Sequence, residues 1–233
     1  MALDNKPNIH ACNDFAFSDA CKNGYIEVAK WLMTFDDKPN IHADNDYAFR
    51  NACLNGHLEV AKWLMTLDDK PNIHAYNDFA FRNACIFSKL EIAKWLMTLE
   101  DKPNIHANDD EAFRITCFFS KLEIAKWLMT LEDKPNIHAN DDFPFRDACV
   151  YGHIVVAKWL VTICDDYYIE IVNSEIRSWK IKNALKDLYY KKEYDKIINK
   201  LNIQKGEIII NKEDKCCICF TEDYNFLSSC NHC

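Results

Sequence analysis

Lys38-Pro39-Asn40-Ile41-His42-Ala43 is written five times in this chain, and its spacing decides the fold. The same six residues stand at Lys6–Ala11, Lys70–Ala75, Lys102–Ala107 and Lys134–Ala139, 32 residues apart each time, with no insertion or deletion. A fixed period of about 20–50 residues marks a stacked array, in which each unit buries its apolar face only against its neighbours. The units run approximately 6–37, 38–69, 70–101, 102–133 and 134–166. Such an array moves the functional expectation from catalysis toward binding.

Working outward within the second unit, Asp46-Tyr47-Ala48-Phe49-Arg50-Asn51-Ala52-Cys53-Leu54 opens on a capping residue. It then sets Phe49, Ala52 and Cys53 on one face at helical spacing. Asn55-Gly56-His57 interrupts the pattern, and Gly56 suits the left-handed conformation that closes a helix. Residues 58–66 read as a second helix with Leu58, Ala61, Leu64 and Met65 turned inward. Asp68-Asp69-Lys70-Pro71-Asn72 stops it, since proline cannot continue a helix and Asp and Asn favour turns. Each unit is therefore helix, tight turn, helix, long loop.

The stretch from Ala52-Cys53-Leu54-Asn55-Gly56-His57 through Leu58-Glu59-Val60-Ala61-Lys62-Trp63-Leu64 resembles an ankyrin repeat, and Asn72-Ile73-His74-Ala75 stands where that family places its inter-repeat turn. The resemblance covers residues 1–166 and implies an all-α ankyrin-repeat solenoid that offers loop tips and first helices to a protein partner. It departs from the family in its period of 32 rather than about 33. The family's Thr-Pro-Leu-His start is replaced by Tyr47-Ala48-Phe49-Arg50 and its equivalents. Asp14, Asp46, Asp78, Asp110 and Asp142 are then expected to cap the first helices. With its Ile-, Asn- and Lys-rich flanks the repeat resembles the ankyrin proteins of giant DNA viruses, which implies a host protein as partner and the host cytoplasm as location.

Residues 1–166 hold 17 basic and 26 acidic side chains, and an acidic array argues against nucleic acid as partner, because phosphate binding needs a basic face. Residues 167–212 are basic, with 10 Lys and Arg against 6 Asp and Glu. No apolar run reaches the length of a membrane span and no signal-peptide pattern opens the chain, so a soluble, intracellular protein is expected. Of the 12 cysteines, Cys21, Cys53, Cys85, Cys117 and Cys149 share one repeat position and read as small buried thiols.

Three further ladders follow the period. His10, His42, His74, His106 and His138 read as hydrogen-bonded structural histidines, with no carboxylate at ligand spacing to make them a metal site. Trp31, Trp63, Trp95, Trp127 and Trp159 read as core or semi-buried packing rather than a base-stacking platform. Lys30, Lys62, Lys94, Lys126 and Lys158 mark a solvated helix face. The position after the constant block varies, with Asp44, Tyr76, Asn108 and Asn140 on a fixed frame, and these are candidate partner-binding residues. The neighbouring Arg50, Arg82, Arg114 and Arg146 either join them or pair with nearby Asp. Repeats three and four replace the turn glycine with Ser88 and Ser120, preceded by Phe87 and Phe119. These phenylalanines either form an exposed partner site or fold back onto the neighbouring turn.

At the ends the period breaks. Met1-Ala2-Leu3-Asp4-Asn5-Lys6 aligns with Met65-Thr66-Leu67-Asp68-Asp69-Lys70, which suggests a fragment opening inside a missing repeat. Residues 167–206 carry helical spacing and read as a C-terminal cap, and residues 207–233 as a strand-like link with a Cys-rich segment. In that segment Cys216 and Cys219 have the spacing of two zinc thiolates, followed by Cys230, His232 and Cys233. This resembles the first half of a RING finger, with zinc as the possible cofactor, and points to a piece of a longer ankyrin–RING protein. The reading that follows is a non-enzymatic protein-interaction scaffold. The alternative is an E3 ubiquitin ligase or its remnant, whose RING positions the conjugating enzyme rather than supplying a nucleophile. No phosphate loop, paired carboxylates or nucleophile–base constellation favours another enzyme.

Overall fold

The computed structural model describes residues 8–164 together with Tyr167, Leu185 and Lys191. The chain divides into two compact units, 1–157 and 158–233. Among the described residues the elements are all helical: α1 (Ala11–Lys22), α2 (Ile26–Leu32), α3 (Ala43–Asn55), α4 (Leu58–Leu64), α5 (Ala75–Ile86), α6 (Leu90–Leu96), α7 (Ala107–Phe118), α8 (Leu122–Leu128), α9 (Ala139–Val150) and α10 (Ile154–Ile163). The boundary between the two units falls inside α10. Tyr167, Leu185 and Lys191 are helical; the rest of the expected cap and the whole of the link and Cys-rich segment lie outside the described residues.

In the first unit the odd-numbered helices stack in chain order, α1 on α3, α3 on α5, α5 on α7 and α7 on α9, and each of α1, α3, α5 and α7 packs on the short helix that follows it. The expected helix, turn, helix, loop order is what forms. Phe17, Phe49, Phe81 and Phe113 are fully buried, as are Cys21, Cys53, Cys85 and Cys117. Each such phenylalanine is worth about 1.5–3 kcal/mol for leaving water, and none of this is gained by one unit alone. Trp63, Trp95 and Trp127 are semi-buried, each lying edge-on or tilted to the phenylalanine one repeat earlier: Phe17–Trp63, Phe49–Trp95 and Phe81–Trp127 have ring centroids 6.3, 6.5 and 6.4 Å apart. Trp31 of the first unit is exposed and lies edge-on to Phe35 instead. Along the second helices the buried set is Val60, Ala61 and Leu64 in α4, with Leu58 and Met65 only half-buried. Val60, absent from the predicted inward face, is covered because a middle unit has neighbours on both sides. Its counterpart in the first unit, Val28, is 45% exposed.

The loops between units are built by the constant block. Asn40 Oδ1 accepts from the His42 amide at 2.9 Å and Asn40 O accepts from the Ala43 amide at 3.1 Å, a side-chain and a main-chain turn on one residue. The same pair of bonds recurs at Asn8, Asn72, Asn104 and Asn136. At the far end of each second helix Thr34, Thr66, Thr98, Thr130 and Thr162 donate to the carbonyl of the preceding tryptophan.

Candidate functional site

The first helix of every pair begins with a left-handed turn. Asp44, Asn45 and Asp46 have φ of 57°, 53° and 60°, and the equivalent triplets 12–14, 76–78, 108–110 and 140–142 do the same. A left-handed residue with a Cβ costs roughly 1–2 kcal/mol, and Asn and Asp tolerate it best because their short polar side chains bond locally. This is why Asn and Asp dominate these triplets. Only the first place admits other residues, such as Cys12 and Tyr76.

Two sets of side chains hold the turn. His42 Nδ1 donates to Asp46 Oδ1 at 2.6 Å, and His42 Nε2 lies 3.0 Å from Asp69 Oδ1 in the loop at the end of the same unit. The distances repeat as 2.6 and 3.1 Å at His74, with Asp78 and Asp101, and at His106, with Asp110 and Asp133. His10 lies 2.6 Å from Asp14 and 3.2 Å from Asp37, though its buried Nε2 is not aligned for a hydrogen bond to the latter. His138 bonds Asp142. The inner carboxylates Asp14, Asp46, Asp78 and Asp110 are buried, and the outer ones are exposed. An ionised carboxylate only accepts hydrogen bonds, so an imidazole between two of them is favoured with both nitrogens protonated. The His42, His74 and His106 pKa values are raised chiefly by the bonds to Asp69, Asp101 and Asp133, and His10 chiefly by its bond to Asp14.

The structural role expected of the histidines stands, but two expectations fail. Carboxylates do sit beside each imidazole, within 2.6 Å, because the left-handed turn folds residue 46 back under residue 42. The aspartates do not cap the helices: the Asp46 carboxylate is spent on His42. Among the described residues no group of three or more His, Cys, Asp or Glu is arranged to hold a metal ion.

The arginines form the second set of holders. Arg50 Nε and Nη2 donate to the carbonyls of Asn45 and Asp44 at 2.7 and 2.8 Å, closing the turn from inside. Arg82 does the same to Asn77 and Tyr76, and Arg114 to Asp109 and Asn108. Pairing with nearby Asp side chains is not what holds Arg50, Arg82 and Arg114: they donate to main-chain carbonyls of the turn, beside the tip residues. Arg82 adds a bond to Glu111 of the next unit. A five-residue offset from a left-handed carbonyl has no pattern signal; only the recurrence of Arg at one register hinted at it.

On this frame Asp44, Tyr76, Asn108 and Asn140 all project as exposed tips. Neighbouring tips touch. Asn45 donates to Tyr76 Oη at 3.3 Å, the Arg50 guanidinium lies 4.4 Å from the Tyr76 ring centroid, and Asn77 donates to Asn108 Oδ1 at 3.2 Å. Phe87 and Phe119 are also exposed, at 55% and 52%, but at the opposite ends of α5 and α7. The six candidate residues thus form two separate rows. Cys216, Cys219, Cys230, His232 and Cys233 lie outside the described residues.

Burial pushes Cys21 up to about 12 and raises Cys53, Cys85 and Cys117 further, so they stay protonated. Lys30, Lys62, Lys94 and Lys126 pair with Glu27, Glu59, Glu91 and Glu123 at 3.3 to 3.6 Å on the solvated face. No described helix is long and apolar enough to cross a membrane.

Residues 17–109 match the family model for ankyrin repeats in three copies. No curated protein matches the chain.

Proposed function

We propose, from the ankyrin-repeat frame of residues 17–109, that this chain is a non-enzymatic scaffold that binds a protein partner through the row of loop tips. The observation that carries this is the left-handed turn. Each unit sustains three left-handed residues, held by a histidine and, in units two to four, also by an arginine, to present one variable side chain at a fixed place. Structure that rigidifies a tip before binding lowers the entropy lost on association. Tyr76, an exposed aromatic braced by Arg50 and Asn45, is the expected anchor, with Asp44, Asn108 and Asn140 around it. The acidic array disfavours nucleic acid and suits a basic or mixed protein surface, and its free buried thiols suit an intracellular setting, such as a host cytoplasm.

The test is selection of binders from a displayed protein library with the full chain, followed by Tyr76→Ala and Asn108→Ala. Loss of binding on these changes, with the thermal melt unchanged, supports the tips. Binding indifferent to every tip substitution overturns them.

A second reading, substrate selection for a RING-type ubiquitin ligase, is supported by the Cys216–Cys219 spacing and by Cys230, His232 and Cys233. This donor set suffices for one tetrahedral zinc ion, which would fold the segment rather than react. Two zinc ions per chain together with ubiquitin transfer would favour this reading over the scaffold alone.

A further inference from the structure

One register at the turn between paired helices changes character along the array. It holds Asn23 and Asn55 in the first two units, then Phe87, Phe119 and Tyr151. Asn23 donates to Asp19 O at 2.8 Å, and Asn55 to Asn51 O at 3.0 Å and Lys22 O at 3.2 Å, so both satisfy helix-end carbonyls. The aromatics make no such bond and stand 55%, 52% and 58% exposed. The residue that follows is left-handed throughout, yet it is glycine at 24, 56 and 152 and serine at 88 and 120, with φ of 62° and 57°. Single exposed apolar residues are ordinary, but three in one register of successive units form a strip. Phe118 backs the strip, its ring 4.9 Å from Phe119 and 4.8 Å from Tyr151, and Val150 is 73% exposed.

The spacing selects an occupant. Packed helices lie roughly 8–10 Å apart, so the three aromatics recur at about that interval. A helix advances about 10.5 Å in seven residues and returns to the same face. An extended strand covers that distance in three residues but turns its side chain to the opposite face. Charge narrows the choice. Lys89 and Lys121 follow the two serines, and the nearby Glu91 and Glu123 are taken by Lys94 and Lys126. The edge is therefore cationic and aromatic in an otherwise acidic array.

We propose that the turn edge of units three to five binds an amphipathic helix of a partner protein, which lays apolar side chains spaced seven residues apart on Phe87, Phe119 and Tyr151 and acidic side chains against Lys89 and Lys121. This rests on the scaffold reading above, but uses the end of the first helices opposite the tips.

The test is selection of a displayed library of helical peptides with the full chain. Enriched peptides are then titrated against the double variant Phe87→Asn, Phe119→Asn, which restores the residue of the first two units, and against Tyr76→Ala. The expected result is enrichment of acidic peptides with an apolar seven-residue spacing, about tenfold or greater loss of affinity in the double variant, and no change in Tyr76→Ala. Circular dichroism must show the double variant folded, and Lys121→Glu gives the same loss without touching an aromatic. Peptides lost on Tyr76→Ala but not on the edge changes overturn the edge and leave the scaffold standing. Proline-rich or basic winners overturn the proposed occupant, as does concentration-dependent dimerisation abolished by the double variant. Absence of any specific binder counts against both readings.

Discussion

The two ends of the first helices obey different rules. At the loop end, five units keep the same left-handed turn and the same bond from histidine to the aspartate four residues on, the first four units set that histidine between two carboxylates, and units two to four keep the same arginine on the turn carbonyls. At the turn end, Asn and Gly give way to Phe and Ser without altering the backbone, because the Ser88 and Ser120 amides still bond Cys85 O and Cys117 O. The difference teaches where variation is tolerated. A turn closed by side chains fixes those side chains, and one closed by main-chain bonds leaves them free.

The most severe way to break the loop end is Asp78→Ala. It strips the buried partner of His74 and puts alanine in a left-handed position, for an expected loss of about 2–4 kcal/mol. Urea unfolding would measure it, and a change below about 0.5 kcal/mol would mean that the clasp is ornamental.

Next in size is pH. Because the folded-state pKa values of His10, His42, His74 and His106 lie above the ordinary 6.5, the charged histidines bind protons more tightly in the native state. Their contribution is complete below about pH 6.5 and disappears as pH rises through the raised native values. Melting temperature should therefore fall as pH rises above about 6.5, and the slope should flatten when Asp69, Asp101 and Asp133 are all changed to Asn. An unchanged slope in that triple variant would assign the pH dependence elsewhere.

The turn end should respond more mildly. Ser88→Gly and Ser120→Gly remove left-handed strain and are each expected to stabilise by about 1 kcal/mol. The reverse change sharpens the comparison. A Cβ on Gly24 would meet the His57 ring at 2.5 Å, whereas one on Gly152 meets nothing within 4 Å, so Gly24→Ser should cost more than Gly152→Ser in thermal melts. Equal costs would show that strain, not crowding, keeps these glycines. Smallest of all, Lys62→Ala should shift stability by no more than about 0.5 kcal/mol, since its pairing with Glu59 is solvated.

Much of the frame was legible beforehand. The buried Phe49, Ala52 and Cys53 face, the left-handed Gly56 and the half-buried Trp63 all follow from spacing, because helical periodicity reports burial directly. Asp46 was misread because a capping motif and a left-handed turn use the same residue types. The sign that could have separated them was the His42–Asp46 offset of four, combined with an aspartate 27 residues after each of the five ladder histidines. Phe87 and Phe119 were legible as changes of residue, but not as exposed, since that depends on what the neighbouring turn covers.

By itself, then, the sequence determined a stack of all-α units, since an exact period with one apolar face per helix has no other way to leave water. The tertiary structure alone decided which polar groups meet: the imidazole with its two carboxylates, the guanidinium with the turn carbonyls, and the aromatic row with solvent. The physical reason is that burial follows from periodicity, whereas a hydrogen bond needs both partners placed to within a few tenths of an ångström by backbone that has already folded.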